Sequence, residues 1–171
     1  MSGHSKWSQI RHKKGLTDQK RGQIFSKLAK TITVAAKDGI DPGANPKLKT
    51  AIEKAKAANM PKENIDKAIK KTSDKEQAQL EELLIEALGP KGIALRIKAI
   101  TDNRNRTISE IKKILADHES KIVQPGSLSW MFNQPVSITD PANQKKLDKL
   151  LEALDDQDEV EDVNSNLLGD N

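Results

Sequence analysis

The chain has 171 residues, with 29 Lys and Arg against 25 Asp and Glu, a formal net charge of +4, 35% apolar and 32% charged residues, and no cysteine. This length supports one or two small domains with a modest core; the composition excludes disulfides and thiolate metal sites and offers no apolar run long enough to span a bilayer. The overall charge hides a division: residues 1–75 carry 18 basic against 7 acidic residues, residues 76–171 carry 11 against 18, and a polyanion is expected to meet the front of the chain first.

Residues 1–16 contain Gly3 and Gly15, lack helical or strand periodicity and crowd like charges together. They are expected to form a mobile basic arm that orders on binding. From Asp18 to Lys37, Ile24, Phe25, Leu28, Ile32 and Ala35 recur at helical spacing, which predicts an amphipathic helix ended by Gly39. Asn45-Pro46 supplies an N-cap and a first-turn proline for a second helix carrying Leu48, Ile52 and Ala55. Pro61 opens a third, bearing Ile65, Ala68 and Ile69. The three form a small bundle over residues 17–75 whose outer faces are mostly lysine.

Ser73 to Gln79 reads as a linker, and a second domain, residues 80–171, begins where the pattern turns from helical to alternating. Leu83 to Leu88 predicts a strand, Gly89-Pro90-Lys91-Gly92 a turn, and Ile93, Leu95, Ile97 and Ala99, alternating with Arg96 and Lys98, a second strand. Thr107 and Glu110 form a capping-box pair before a helix with Ile108, Ile111, Ile114 and Leu115 inward. Strands are expected around Leu128, Trp130 and Phe132 and around Val136 and Ile138; Asp140-Pro141 then starts a helix with Leu147, Leu150, Leu151 and Leu154, and a last strand lies near Val160 and Val163. From Ile93 the order is βαββαβ. The expected fold is therefore α+β: an N-terminal three-helix bundle with a basic arm, followed by a ferredoxin-like domain with one additional strand.

Sites for chemistry are sparse. His4, His12 and His118 are far apart, and two of them sit among cations, which argues against zinc. The acidic run Asp155, Asp156, Asp158, Glu159, Glu161 and Asp162 lacks the spacing of a calcium loop and reads as a solvated helix end. The turn at Gly89 falls short of a phosphate-binding loop, and its proline removes a backbone donor. No serine has a recognisable base partner. No catalytic residue, metal or cofactor is expected, and the chain reads as a non-enzyme. With only Trp7, Phe25, Trp130 and Phe132 as aromatic residues, it cannot build a base-stacking platform. Nucleic-acid contact would run through phosphates, with Trp7 stacking on one base. The residues expected to carry it are His4, Lys6, Trp7, Arg11, His12, Lys13, Lys14, Lys20, Arg21, Lys27 and Lys30, opposed in the first thirty positions only by Asp18. Asn103, Arg104, Asn105 and Arg106, at the positive end of a helix, are a secondary anion site; a capping loop with an arginine paired to Asp102 is an equal alternative.

Gly3-His4-Ser5-Lys6-Trp7, Arg11-His12-Lys13-Lys14, Lys20-Arg21-Gly22 and Phe25-Ser26-Lys27 resemble the opening of the YebC/PmpR family. The likeness continues through Asp41-Pro42, Asn45-Pro46, Asn59-Met60-Pro61, the turn at Gly89, the run from Asp102 to Thr107, and Gly126-Ser127, and so covers essentially the whole chain. The resemblance implies three domains in most members. Here Phe132 to Gln134 closes the gap where the third would be inserted, which marks a minimal, two-domain form. It also implies a gene-expression factor; the lack of cysteine makes the cytoplasm the expected location, and the basic, acid-poor N-terminus makes the mitochondrial matrix a minor alternative. Two functions are open: a probable transcriptional regulator binding duplex DNA, and a factor of translation, because members resemble the mitochondrial translational activator of cytochrome oxidase subunit I and bacterial ones are linked to ribosomes slowed on proline-rich sequences. A flexible cationic arm suits structured RNA on the ribosome better than a base-reading groove contact, since lysine outnumbers the usual base readers. A protein-interaction role for the acidic domain would explain the tail but not the arm. A monomer with no membrane association is expected.

Overall fold

A computed structural model describes residues 6–13, 17–75 and 79–169, with the backbone alone for residues 8 and 11–13. In chain order the elements are α1 (Lys6–Lys13), α2 (Asp18–Ala35), α3 (Pro46–Ala57), α4 (Lys62–Lys70), β1 (Glu81–Leu88), β2 (Ala94–Thr101), α5 (Arg104–Asp117), β3 (Lys121–Val123), α6 (Pro141–Asp156) and β4 (Val160–Ser165). They divide into two compact units. The described residues of Leu16–Glu82 with Ile100–Asn103 form one, and those of Met1–Gly15, Leu83–Ala99 and Arg104–Asn171 the other. The class is α+β.

In the helical unit α2 and α3 start where a side chain satisfies a free N–H group, whereas α4 follows Pro61 without a side-chain cap. The Thr17 hydroxyl accepts from the Lys20 N–H at 3.2 Å. Asn45 caps α3 by accepting from the Leu48 N–H at 3.2 Å, and its amide nitrogen donates to the carbonyls of Ala35 and Gly39, both at 2.8 Å. One buried side chain thus closes the end of α2 and opens α3. The core is small-residued: Ile32, Ala35, Ala36, Leu48, Ala51, Ala55, Met60, Ile65 and Ala68. With so many alanines the helices can approach closely enough for hydroxyls to pin them, and Thr33 donates to the Ala68 carbonyl at 2.8 Å and Thr72 to the Thr33 carbonyl at 3.2 Å.

The second unit has a four-stranded sheet in the order β3-β1-β2-β4. β1 and β3 run antiparallel with Glu86 opposite Val123, and β2 and β4 antiparallel with Ile97 opposite Val163. Ile111 and Leu115 of α5 and Leu147, Leu150, Leu151 and Leu154 of α6 bury against Leu83, Ile85, Leu95, Ile97, Val160 and Val163 of the sheet.

Three expectations are corrected here. Residues 6–13 are helical rather than an arm: Trp7 and Ile10 share one face of α1, are 3% and 6% exposed, and belong to the core of the α+β unit, while Lys6 pairs with Asp148 of α6 at 2.9 Å. The strands expected at Leu128–Phe132 and Val136–Ile138 do not form. After Gly126, at φ +85°, the chain coils through successive tight turns, closed by bonds such as Met131 N–H to the Leu128 carbonyl at 2.9 Å. Only Leu128 of that alternating trio is buried; Val136 makes an isolated bridge to Leu167, and the strand beside β1 is instead Lys121–Val123. From β2 the unit therefore reads βαβαβ and not βαββαβ, one strand fewer than expected, with β1 as the additional strand. Finally, α5 begins at Arg104, so Thr107 is buried inside the helix, and Glu110 accepts from the Gln157 amide at 2.8 Å instead of boxing a cap.

Candidate nucleic-acid interface

Residues 17–75 carry 14 Lys and Arg against 7 Asp and Glu. Helix periodicity assigns the apolar positions of α3 and α4 to the core, which forces the intervening lysines outward. Lys47, Lys49, Lys54 and Lys56 stand exposed on α3, Lys62, Lys67 and Lys70 on α4, and Lys71 and Lys75 just after it. None of these nine has an ion-pair partner among the described residues. Some of this charge has a local role, since Lys54, Lys56, Lys67 and Lys70 lie in the last turns of their helices and complement the helix dipole there. The others do not. Lys49, Lys56 and Lys62, with Glu53 and Asp66, also line a slot of about 350 Å³ whose apolar walls are Pro42, Ile52, Ile65 and Ile69.

In the α+β unit seven of the twelve cations with described side chains, Lys112 and Lys113 among them, are likewise without an ion pair among the described residues, but five are held. Lys6 pairs with Asp148 at 2.9 Å, Arg96 with Glu86 at 3.4 Å, Lys98 with Glu161 at 3.6 Å, Lys146 with Glu119 at 2.8 Å, and Arg106 with Glu159. These cations are already neutralised by carboxylates of the same unit. A phosphate approaching them would have to displace an existing partner, whereas one approaching the exposed lysines of α3 and α4 displaces only water and counterions.

The residues expected from the sequence separate accordingly. His4 and Lys14 lie outside the described residues, as do the side chains of Arg11, His12 and Lys13, whose backbone is helical. Lys6 is ion-paired and Trp7 is core, so an indole stacking on a base is not the role this geometry gives it. Lys20 bonds Gln23 at 3.1 Å on the first turn of α2; Arg21, exposed, reaches Asp18 at 3.4 Å. Lys30 is half-buried, and Lys27 is only 6% exposed. Of the secondary group, Asn103, Arg104 and Asn105 are exposed at the start of α5, while Arg106 is held by Glu159, itself bonded to the Gln157 amide. The lysines of α3 and α4 were legible as polar helix faces; what the sequence could not display was which cations would be consumed by carboxylates distant in the chain.

Arg21 is the sole arginine of residues 17–75, and lysine is a point charge with no bidentate fork for a base edge. Such a surface has the charge to attract phosphates and lacks the groups that read base edges in a duplex groove. Among the described residues no helix is long and apolar enough to cross a membrane.

Comparison with known proteins agrees with both units. Residues 5–75 match the model of the TACO1/YebC protein N-terminal domain, and residues 80–139 that of the TACO1/YebC second and third domain. A "probable transcriptional regulatory protein" of Geobacter sulfurreducens is 52% identical over 136 residues, covering 78% of this chain and 55% of the relative. One of Petrotoga mobilis is 47% identical over 154 residues, 88% of this chain and 61% of the relative, and one of Chlorobium phaeovibrioides is 44% identical over 171 residues, 99% and 68%. The chain thus spans little more than half the length of the Geobacter relative. The crystal structure of a conserved hypothetical protein from Aquifex aeolicus superposes with a TM-score of 0.80 at 31% identity, covering 96% of this chain and 97% of that one. Two domain models in the right order and relatives aligned along nearly the whole length place the chain in the TACO1/YebC family.

Proposed function

We propose that this chain is a non-enzymatic, nucleic-acid-binding regulator of gene expression that acts in translation, its lysine-rich helical unit bound to the phosphates of structured RNA on the ribosome. The single observation behind the proposal is the concentration of cations on α3 and α4, where seven exposed lysines and the two that follow α4 have no ion-pair partner among the described residues, while five cations of the α+β unit are already paired with carboxylates. RNA is favoured over duplex DNA because irregular phosphate arrays suit scattered lysines, whereas a groove-reading helix would need arginine or amide side chains aligned on one face. Lys20 and Arg21, on the first turn of α2, and Lys13 and Lys14, before it in the chain, extend this phosphate-binding set in the proposal, and its setting is the cytoplasm.

A second reading, a transcriptional regulator on double-stranded DNA, rests on the names of the bacterial relatives. Crosslinking in cells with sequencing of both nucleic acids separates the two: ribosomal RNA recovered above promoter DNA supports the first, and the reverse rejects it. In vitro, neutralising roughly 5–7 phosphates gives a slope of about −4.5 to −6 in log affinity against log salt on duplex DNA, and a shallower one on single strands. A flat salt response removes both. Reversing Lys49, Lys56, Lys62 and Lys67 to glutamate should abolish binding while the helical unit remains folded by circular dichroism, since these side chains are exposed and outside its core.

A further inference from the structure

The two helices that line the slot of the helical unit do so with matching positions. α3 contributes Lys49, Ile52, Glu53 and Lys56, and α4 contributes Lys62, Ile65, Asp66 and Ile69. Each set follows the spacing that places four side chains on one face of a helix. Both open with lysine and set a carboxylate directly after an isoleucine. Ile65 is buried and Ile52, Ile69 and Pro42 are half-buried, whereas all five charged side chains are exposed, so the slot has an apolar floor and a charged mouth.

Attraction of phosphates explains the lysines of this mouth and leaves Glu53 and Asp66 unexplained, since a carboxylate repels a polyanion. They stand at the equivalent place in each helix. Neither has an ion-pair or hydrogen-bond partner among the described residues, although Lys49, Lys56 and Lys62 line the same slot. An ionised carboxylate accepts hydrogen bonds and donates none. The slot therefore combines an apolar floor, cations for an anion and two acceptors for N–H or O–H donors.

We infer that the slot takes one unstacked guanine nucleotide of an RNA strand. This rests on the proposed phosphate-binding role of the helical unit and names the ligand of its slot. A volume of about 350 Å³ lies at the small end of ligand pockets; it has room for one base and its sugar and too little for a peptide helix, about 10–12 Å across. A base brings two apolar faces, which isoleucine and proline side chains clasp in a chain that has no aromatic platform. The flanking phosphates meet Lys49 and Lys56, about 10 Å apart along α3, and Lys62 of α4. A neutral apolar ligand uses none of these cations, and an acidic peptide side chain is repelled by the two carboxylates. Acceptors then choose the base. Guanine alone presents two adjacent donors, N1–H and the 2-amino group, on its pairing edge; adenine, cytosine and uracil set an acceptor beside each donor, and its lone pair faces the carboxylate. The second carboxylate matches the ribose 2′-hydroxyl, a donor that DNA lacks.

Fluorescence anisotropy with the full chain and labelled RNA hairpins tests the inference. The hairpins share one stem and a uridine loop that carries uridine, guanosine or inosine at a single position, inosine being guanosine without the 2-amino group. The expected wild-type result is binding of the guanosine hairpin about tenfold or more tighter than of the other two. The double variant Glu53→Ala, Asp66→Ala, verified as folded by circular dichroism, should lose that preference while binding the uridine hairpin more tightly, because two negative charges are gone. Equal wild-type affinity for all three, still falling steeply with salt, overturns the inference and leaves phosphate binding standing; no binding of any hairpin removes both. A guanosine preference that survives in the double variant also overturns it, because the base is then held elsewhere.

Discussion

Replacing Trp7 by alanine separates two roles that this indole could have. In the structure it is 3% exposed among Leu147, Leu150, Leu151 and Val163 in the α+β core. Truncating a buried tryptophan typically costs about 3–5 kcal/mol through lost transfer energy and the cavity left behind. α1 has only 8 residues, too few to be helical by itself, and the Lys6–Asp148 pair, with both side chains more than a quarter exposed, adds at most about 1 kcal/mol. The helix will therefore detach rather than leave a sealed void, which caps the loss near the lower bound, about 3 kcal/mol, or roughly 12–24 °C in midpoint for a unit of this size. Urea and thermal melts followed by the fluorescence of Trp130, the one tryptophan then remaining and on the same unit, read this directly. Nucleic-acid affinity measured with the helical unit still folded should change far less. An unchanged melt, together with an affinity loss of about 1–3 kcal/mol, the value of one stacked base, would refute the anchoring role and restore the arm.

Other perturbations probe different joints of the fold. Asn45→Ala removes a helix cap and the donor to two carbonyls, and should lower the stability of the helical unit by about 2–3 kcal/mol in a denaturant melt. Glu86→Gln weakens the hold on Gly126 and Leu128 by about 1–3 kcal/mol, so both amides should exchange faster with deuterium while those of α5 are unaffected. The hydrogen bond and charge of Lys146, aided by Lys91, lower the pKa of Glu119 below its ordinary value. A lowered folded pKa means that the carboxylate stabilises the fold above its unfolded pKa and loses that contribution as pH falls through the folded one. The difference in thermal midpoint between wild type and Glu119→Gln should accordingly be constant near neutrality and vanish in acid; a difference that grew on acidification would contradict it.

Local signals carried much of this architecture. Asn45-Pro46 and Asp140-Pro141 marked helix starts because a cap and a first-turn proline act within four residues. The hairpin around Gly89 was visible because Lys91 and Gly92, at φ +59° and +73°, need a turn there. The misplaced features share a dependence on remote partners. α1 has a weak apolar face, and what holds it is a leucine row some 140 residues later. The alternation Leu128, Trp130, Phe132 is a strand signal that Gly126 and the buried Glu86 convert into turns. β3 spans three residues, too short for any periodicity. For the interface, lysine content was readable, but whether a given cation was spent on a carboxylate was a property of the folded chain.

The core of the helical unit is built largely from methyl groups: Ala35, Ala36, Ala51, Ala55 and Ala68 are five of its nine buried apolar residues. Alanines let the backbones close in but withdraw little oily area from solvent, so the margin between the ordered and the melted unit is thin. Self-repulsion among its cations narrows that margin further. An anion lattice that quenches the repulsion then acts as a folding ligand. Under the proposed function, recognition and melting would be one equilibrium, in which a bound polyanion adds to the stability of the unit that holds it.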